Sequence, residues 1–66
     1  MKNQLKIERA RKDITQAELA DIVEVSRQTI NAIEKGKYAP STILALKLSR
    51  YFGKSVNDLF ELEEED

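Results

Sequence analysis

Cysteine and histidine are both missing from this 66-residue chain. Without cysteine there are no disulfides and no thiolate zinc sites. Without histidine the usual metal ligand and near-neutral proton carrier are gone. An enzyme would need a base and a nucleophile converging in a pocket, and the run Glu63, Glu64, Glu65 and Asp66 at the chain end reads as a solvated acidic segment. The expectation is a protein that is not an enzyme and has no cofactor and no metal. Long apolar runs are missing too. The longest, Thr42 to Leu46, is far below the roughly 20 residues of a membrane span, and the start has no signal-peptide core. A cytoplasmic location follows, with no membrane partner and no evident small-molecule ligand. At this length residues 1–66 make one domain, burying only about 60% of the surface an unfolded chain exposes, so stability is thin and self-association would help.

Caps are what the sequence does have. Thr15 with Glu18 is a capping box, and an apolar stripe of Leu19, Ala20, Ile22 and Val23 follows it as far as Glu24. Ser26 is the next cap, Ile30 and Ile33 sit one turn apart, and Gly36 closes a helix over roughly 27–35. Lys37 to Pro40 is a loop. Ser41 opens a helix running to Gly53, with Leu44, Ala45, Leu48, Ser49 and Phe52 on one face, which makes it the central core helix. Ser55 with Asp58 caps a last single turn, and Leu5 to Lys12 makes an opening helix. At the two ends, residues 60–63 alternate apolar and polar, and residues 2–5, polar up to Leu5, are read as their partner. This pattern fits either a small terminal β-ribbon or a frayed acidic tail.

The two helices within residues 15–35, joined by a tight turn, form a helix-turn-helix suited to a DNA groove. Ile30 and Ile33 anchor the second helix and leave Arg27, Gln28, Asn31 and Ala32 outward. Arg pairs bidentately with guanine, Gln or Asn with adenine, and Ala touches a thymine methyl, so these four are the candidate base contacts. Taken alone, such a face is more often just solvated; the preceding helix favours readout. Gln16, at a helix start where free amides and the dipole favour an anion, is a candidate phosphate contact. Lys35, Lys37 and Tyr38 at the far end of the second helix join it, with Thr29 and Ser41 as weaker donors. A formal net charge of -1 does not oppose DNA binding, because the charge is partitioned. Residues 1–54 hold all eleven Lys and Arg against six acids, a balance of +5, and residues 55–66 hold six acids. What counts is the local field, provided the acidic segment lies away from the reading face.

The stretches Thr15 to Ala20, Val25 to Ile30, Ile33 to Gly36, Pro40-Ser41, and Phe52-Gly53 through Val56 to Phe60 resemble the Xre-type family, the Cro and phage-repressor relatives. Length and termini are similar to its small stand-alone repressors of the cytolysin-operon kind, in which a β-ribbon is added to the helices. The resemblance implies an all-α, compact five-helix lambda-repressor-like fold. It also implies a homodimer on a pseudo-palindromic operator in double-stranded DNA, with recognition helices ~34 Å apart. By the same resemblance Gln16 contacts phosphate and buttresses the recognition helix, while Arg9 and Glu34 form a partly buried ion pair. Four positions depart from the family pattern. Glu24 stands where Gly is usual and must then adopt positive φ. Thr42-Ile43 replaces Leu and a polar residue, which suggests that Ile43 is exposed or in an interface. Ala32 is shorter than the base-reading side chain of several repressors.

Repression needs only promoter occupancy, and so compact a chain shows neither ligand domain nor polymerase-recruiting extension, so a repressor is expected. The competing class is an antitoxin or adaptor that binds a partner protein through the acidic segment 61–66. For the dimer interface the expected residues are Tyr51, Val56, Leu59, Phe60 and Leu62, with Ile43 as an outside candidate. The rival assignment for this set is the monomer core.

Overall fold

The computed structural model describes all 66 residues. Five helices and a two-stranded ribbon follow in chain order. They are β1 (Lys2–Asn3), α1 (Leu5–Arg11), α2 (Gln16–Val23), α3 (Arg27–Glu34), α4 (Thr42–Phe52), α5 (Val56–Leu59) and β2 (Phe60–Glu61). The termini therefore form a ribbon rather than a frayed tail: β1 runs antiparallel to β2 with Lys2 opposite Glu61 and Asn3 opposite Phe60. The strand pattern extends two residues per side instead of four, because Gln4 and Leu5 turn into α1.

The starts of α2, α3, α4 and α5 are where a side-chain cap satisfies an orphan amide, whereas Gln4 before α1 makes no such bond. Thr15 and Glu18 make the reciprocal capping box, and Ser26, Ser41 and Ser55 each accept from the amide three residues on. Helix ends share one device. After α1, α2, α3 and α4 a single residue turns left-handed: Asp13 at φ 55, Glu24 at 64, Gly36 at 73 and Gly53 at 65. The next amide then returns to a carbonyl five residues back, as in Val25 to Ala20 at 2.9 Å and Lys37 to Ala32 at 2.9 Å. Glu24 thus takes the left-handed conformation expected of it. Asp13 does so as well, without having been singled out from the sequence.

The core is made of Leu5, Leu19, Ala20, Val23, Ile30, Ile33, Leu44, Leu48, Phe52, Leu59 and Phe60, all buried. Every helix contributes, so no single helix is stable without the rest. Ile22 departs from the apolar stripe assigned to α2 and is 46% exposed, because it sits on the outer shoulder of the helix beside Tyr51 and Arg50. Leu59 has no exposed surface and Phe60 keeps 8%. Leu59 is therefore core, the rival assignment for this residue, since its full burial leaves no side-chain surface for a partner.

One buried acid was not anticipated. Glu8 keeps 8% of its surface and is matched by Arg11 at 3.3 Å and Lys54 at 4.0 Å. No helix is long and apolar enough to cross a membrane.

Candidate nucleic-acid interface

The helix pair α2–α3 is held at its crossing by a polar network as well as by the core. Glu34, on the last turn of α3, accepts from Arg9 Nε at 2.8 Å, Arg9 Nη2 at 3.2 Å and Gln16 Nε2 at 3.0 Å. Arg9 Nη1 donates to the Ile14 carbonyl at 3.0 Å, so one guanidinium ties α1 to the α1–α2 turn and to α3. Their side chains are 17% and 5% exposed. Burial pushes the Glu34 carboxyl up, but the hydrogen bonds from Arg9 and Gln16 and the guanidinium charge outweigh it and hold it below the ordinary glutamate range. Arg9 is scaffold, as the resemblance implied.

Gln16 extends this network outward. Its Nε2 also donates to Asn31 Oδ1 at 3.2 Å, and its Oε1 accepts from Arg27 at 3.5 Å. The Gln16 side chain thus links three α3 side chains: Arg27, Asn31 and Glu34. Asn31 keeps its own NH2 group for an external acceptor. Arg27 and Gln28 are exposed, and Asn31 and Ala32 half-buried, on the side of α3 opposite Ile30 and Ile33. The four residues expected to meet base edges therefore share one accessible surface, braced from behind.

The other sequence candidates are distributed around that surface. Lys35, Lys37, Tyr38 and Ser41 are exposed on the exit of α3 and the following loop. Thr29 is partly committed, since its hydroxyl lies 2.9 Å from the Ser26 hydroxyl within the cap. Ser41 Oγ accepts from the Leu44 amide at 3.1 Å, which leaves its O–H to donate. The acidic segment is not wholly remote: Glu63 lines the same surface hollow as Lys35 and Gly36. It stands at the exit of α3 rather than at its base-facing start, and its carboxylate and that of Asp66 pair with the Met1 ammonium at 3.1 and 3.2 Å.

Asn3 was missed by the sequence reading. Its Nδ2 donates to the Ile33 carbonyl at 2.7 Å while its Oδ1 accepts from the Leu5 amide at 3.2 Å. The ribbon thereby adds a second donor to a carbonyl at the end of α3 that also accepts from the Gly36 amide at 2.9 Å. Nothing in the local spacing of residues 2–5 signals this contact, which spans thirty positions.

Residues 5–59, nearly the whole of this fold, match the family described as helix-turn-helix. This chain belongs to the helix-turn-helix family. Among similar members is an uncharacterized HTH-type transcriptional regulator of Methanocaldococcus jannaschii, 52% identical over 66 residues and covered end to end in both chains. A second, from Bacillus subtilis and described in the same way, is 50% identical, again over the whole of both. A third, from Archaeoglobus fulgidus, is 46% identical over 66 residues and 93% of its own length. In helix-turn-helix terms α2 is the first helix of the motif and α3 the second.

Proposed function

We propose that this protein is a sequence-specific DNA-binding transcription regulator, a homodimeric repressor that places α3 of each copy in the major groove of a pseudo-palindromic operator. One observation carries the reading: Arg27, Gln28, Asn31 and Ala32 face outward from a helix fixed by a core on one side and by Gln16 and Glu34 on the other. Base readout requires such preorganised donors and acceptors. Lys35, Lys37, Tyr38, Ser41, Thr29 and the first amides of α2 beside Gln16 then serve as phosphate contacts, setting register without reading sequence. Dimerisation draws on the surface hollow where Ala39, Pro40, Ala45, Leu46, Val56 and Phe60 stand together. Of the residues expected there from the sequence, Val56 and Phe60 line it. Tyr51 does not, its ring lying under Lys12 at 4.9 Å.

The test is a titration against the gene's upstream DNA at two salt concentrations, with non-specific competitor present. Tight, salt-sensitive binding that survives competitor is expected. Gln28→Ala should weaken the preferred site by about 1–3 kcal/mol and relax specificity there, while Lys37→Ala should weaken all sequences alike and lower the salt slope by about one. Equal losses from both substitutions would overturn the assignment of roles. Absence of any preferred site would favour the adaptor or antitoxin reading, which rests on Leu62 standing 77% exposed within the acidic segment.

A further inference from the structure

Two features of the surface are unmatched within one chain. On α4, Ile43 is 70% and Leu46 58% exposed, and together with Lys47 and Arg50 they line a shallow hollow. Lys47 is engaged by Glu24 at 3.2 Å, whereas Arg50 takes part in none of the chain's ion pairs. The hollow is thus two aliphatic side chains beside one uncompensated cation. At the C-terminal end the pattern is complementary. Leu62 is 77% exposed, flanked by carboxylates, and Glu64 and Glu65 have no cationic partner. The segment is held in place by the Met1 ammonium, which is bound by Glu63 and Asp66. Leu62 is therefore presented on an anchored segment.

We propose that in the homodimer the segment Leu62 to Glu65 of each copy docks on the other copy's Ile43–Arg50 hollow, Leu62 against Ile43 and Leu46, and Glu64 or Glu65 on Arg50. This inference rests on the homodimer reading above. Charge complementarity and continuity with the proposed seam both favour a second copy as the occupant. Leu46 lines both the α4 hollow and the seam hollow, and Met1, which anchors the segment, lines the seam hollow too. A two-fold axis through that seam lays the Met1 side of one copy along the Leu46 side of the other. It makes every such contact twice, because an isologous interface repeats each pair. Exposed apolar side chains ringed by polar groups are the usual mark of such a contact.

Sedimentation or light scattering of the full chain, without DNA and over a concentration series, tests this. Arg50→Glu alone, and the pair Glu64→Lys with Glu65→Lys alone, should each raise the dimer dissociation constant at least about tenfold, since each turns two symmetric attractions into repulsions. Combining all three reversals should return it to near the wild-type value, with circular dichroism melts checking that every variant is folded. A wild-type chain that stays monomeric at all concentrations overturns the dimer reading and this inference with it. A wild-type dimer that Arg50→Glu leaves intact, or that the combined reversal fails to restore, overturns the docking alone. DNA affinity is not used, so failure of the operator reading remains separately visible.

Discussion

Replacing Glu34 with Ala removes the acceptor on which three hydrogen bonds converge, at 2.8, 3.2 and 3.0 Å. Arg9 is left with the Ile14 carbonyl alone. Breaking a buried pair from one side costs about 3–5 kcal/mol, because the surviving charge is stranded. Arg9 is 17% exposed and recovers part of its hydration, so the expected loss is about 2–4 kcal/mol. In a domain of this size each kcal/mol corresponds to roughly 4–8 °C, which puts the fall in melting temperature on the order of 10–30 °C. Removing both partners, Arg9→Met with Glu34→Leu, should cost less than Glu34→Ala alone, since neither charge nor vacancy then remains. The carboxyl lies below its ordinary range in the fold, so its contribution is complete above the unfolded glutamate value of about 4.3 and is lost as pH falls through the lower folded value. The gap between wild type and Glu34→Ala should therefore be wider at pH 7 than at about pH 3. Urea and thermal melts by circular dichroism at both pH values measure it. A loss below about 0.5 kcal/mol at pH 7, or a double variant less stable than the single one, would refute a cohesive role for this pair.

Two further outcomes follow from the helix ends. Glu24 sits at φ 64, where an L residue is strained by about 1–2 kcal/mol and glycine is not. Against that stand glycine's extra unfolded entropy and the exposed pair with Lys47. Glu24→Gly should thus raise stability by about 0.5 kcal/mol and Glu24→Val lower it by about 1–2 kcal/mol; a destabilised glycine variant in urea titration would argue against strain at the turn. Asn3→Ala should cost about 0.5–1.5 kcal/mol by removing one of the two hydrogen bonds on the Ile33 carbonyl, which keeps the one from the Gly36 amide. It should also speed hydrogen exchange at the Gly36 and Lys37 amides while the first turn of α3 keeps its protection, and unchanged exchange would mean that the ribbon does not brace α3.

What could be read from the chain beforehand was what is local. Thr15, Ser26, Ser41 and Ser55 act within three residues of themselves, so their helix starts were visible without any fold. The spacing of Leu44, Leu48 and Phe52 likewise announced the core side of α4. Where contacts span the chain, spacing carried no signal. Asn3 under α3, Glu8 beside Lys54, and the exposure of Ile22 and Leu46 depend on which elements meet. Arg9 with Glu34 was reached through family resemblance, since nothing in their separation of twenty-five residues demands a bond. Residues 59 and 60 could not be divided between core and interface from sequence, because a short helix and a strand lie end to end there. Complete burial decides it for Leu59.

The ribbon's two strands come from opposite ends of the polypeptide, and one of them carries the amide group that seals the last turn of α3. During synthesis α3 is made midway, yet its final support is assembled only after residues 60 and 61 exist to pair with residues 2 and 3. The end of α3 is therefore completed only with the last-made strand, and a nascent chain holds Arg27 to Ala32 before it holds them still.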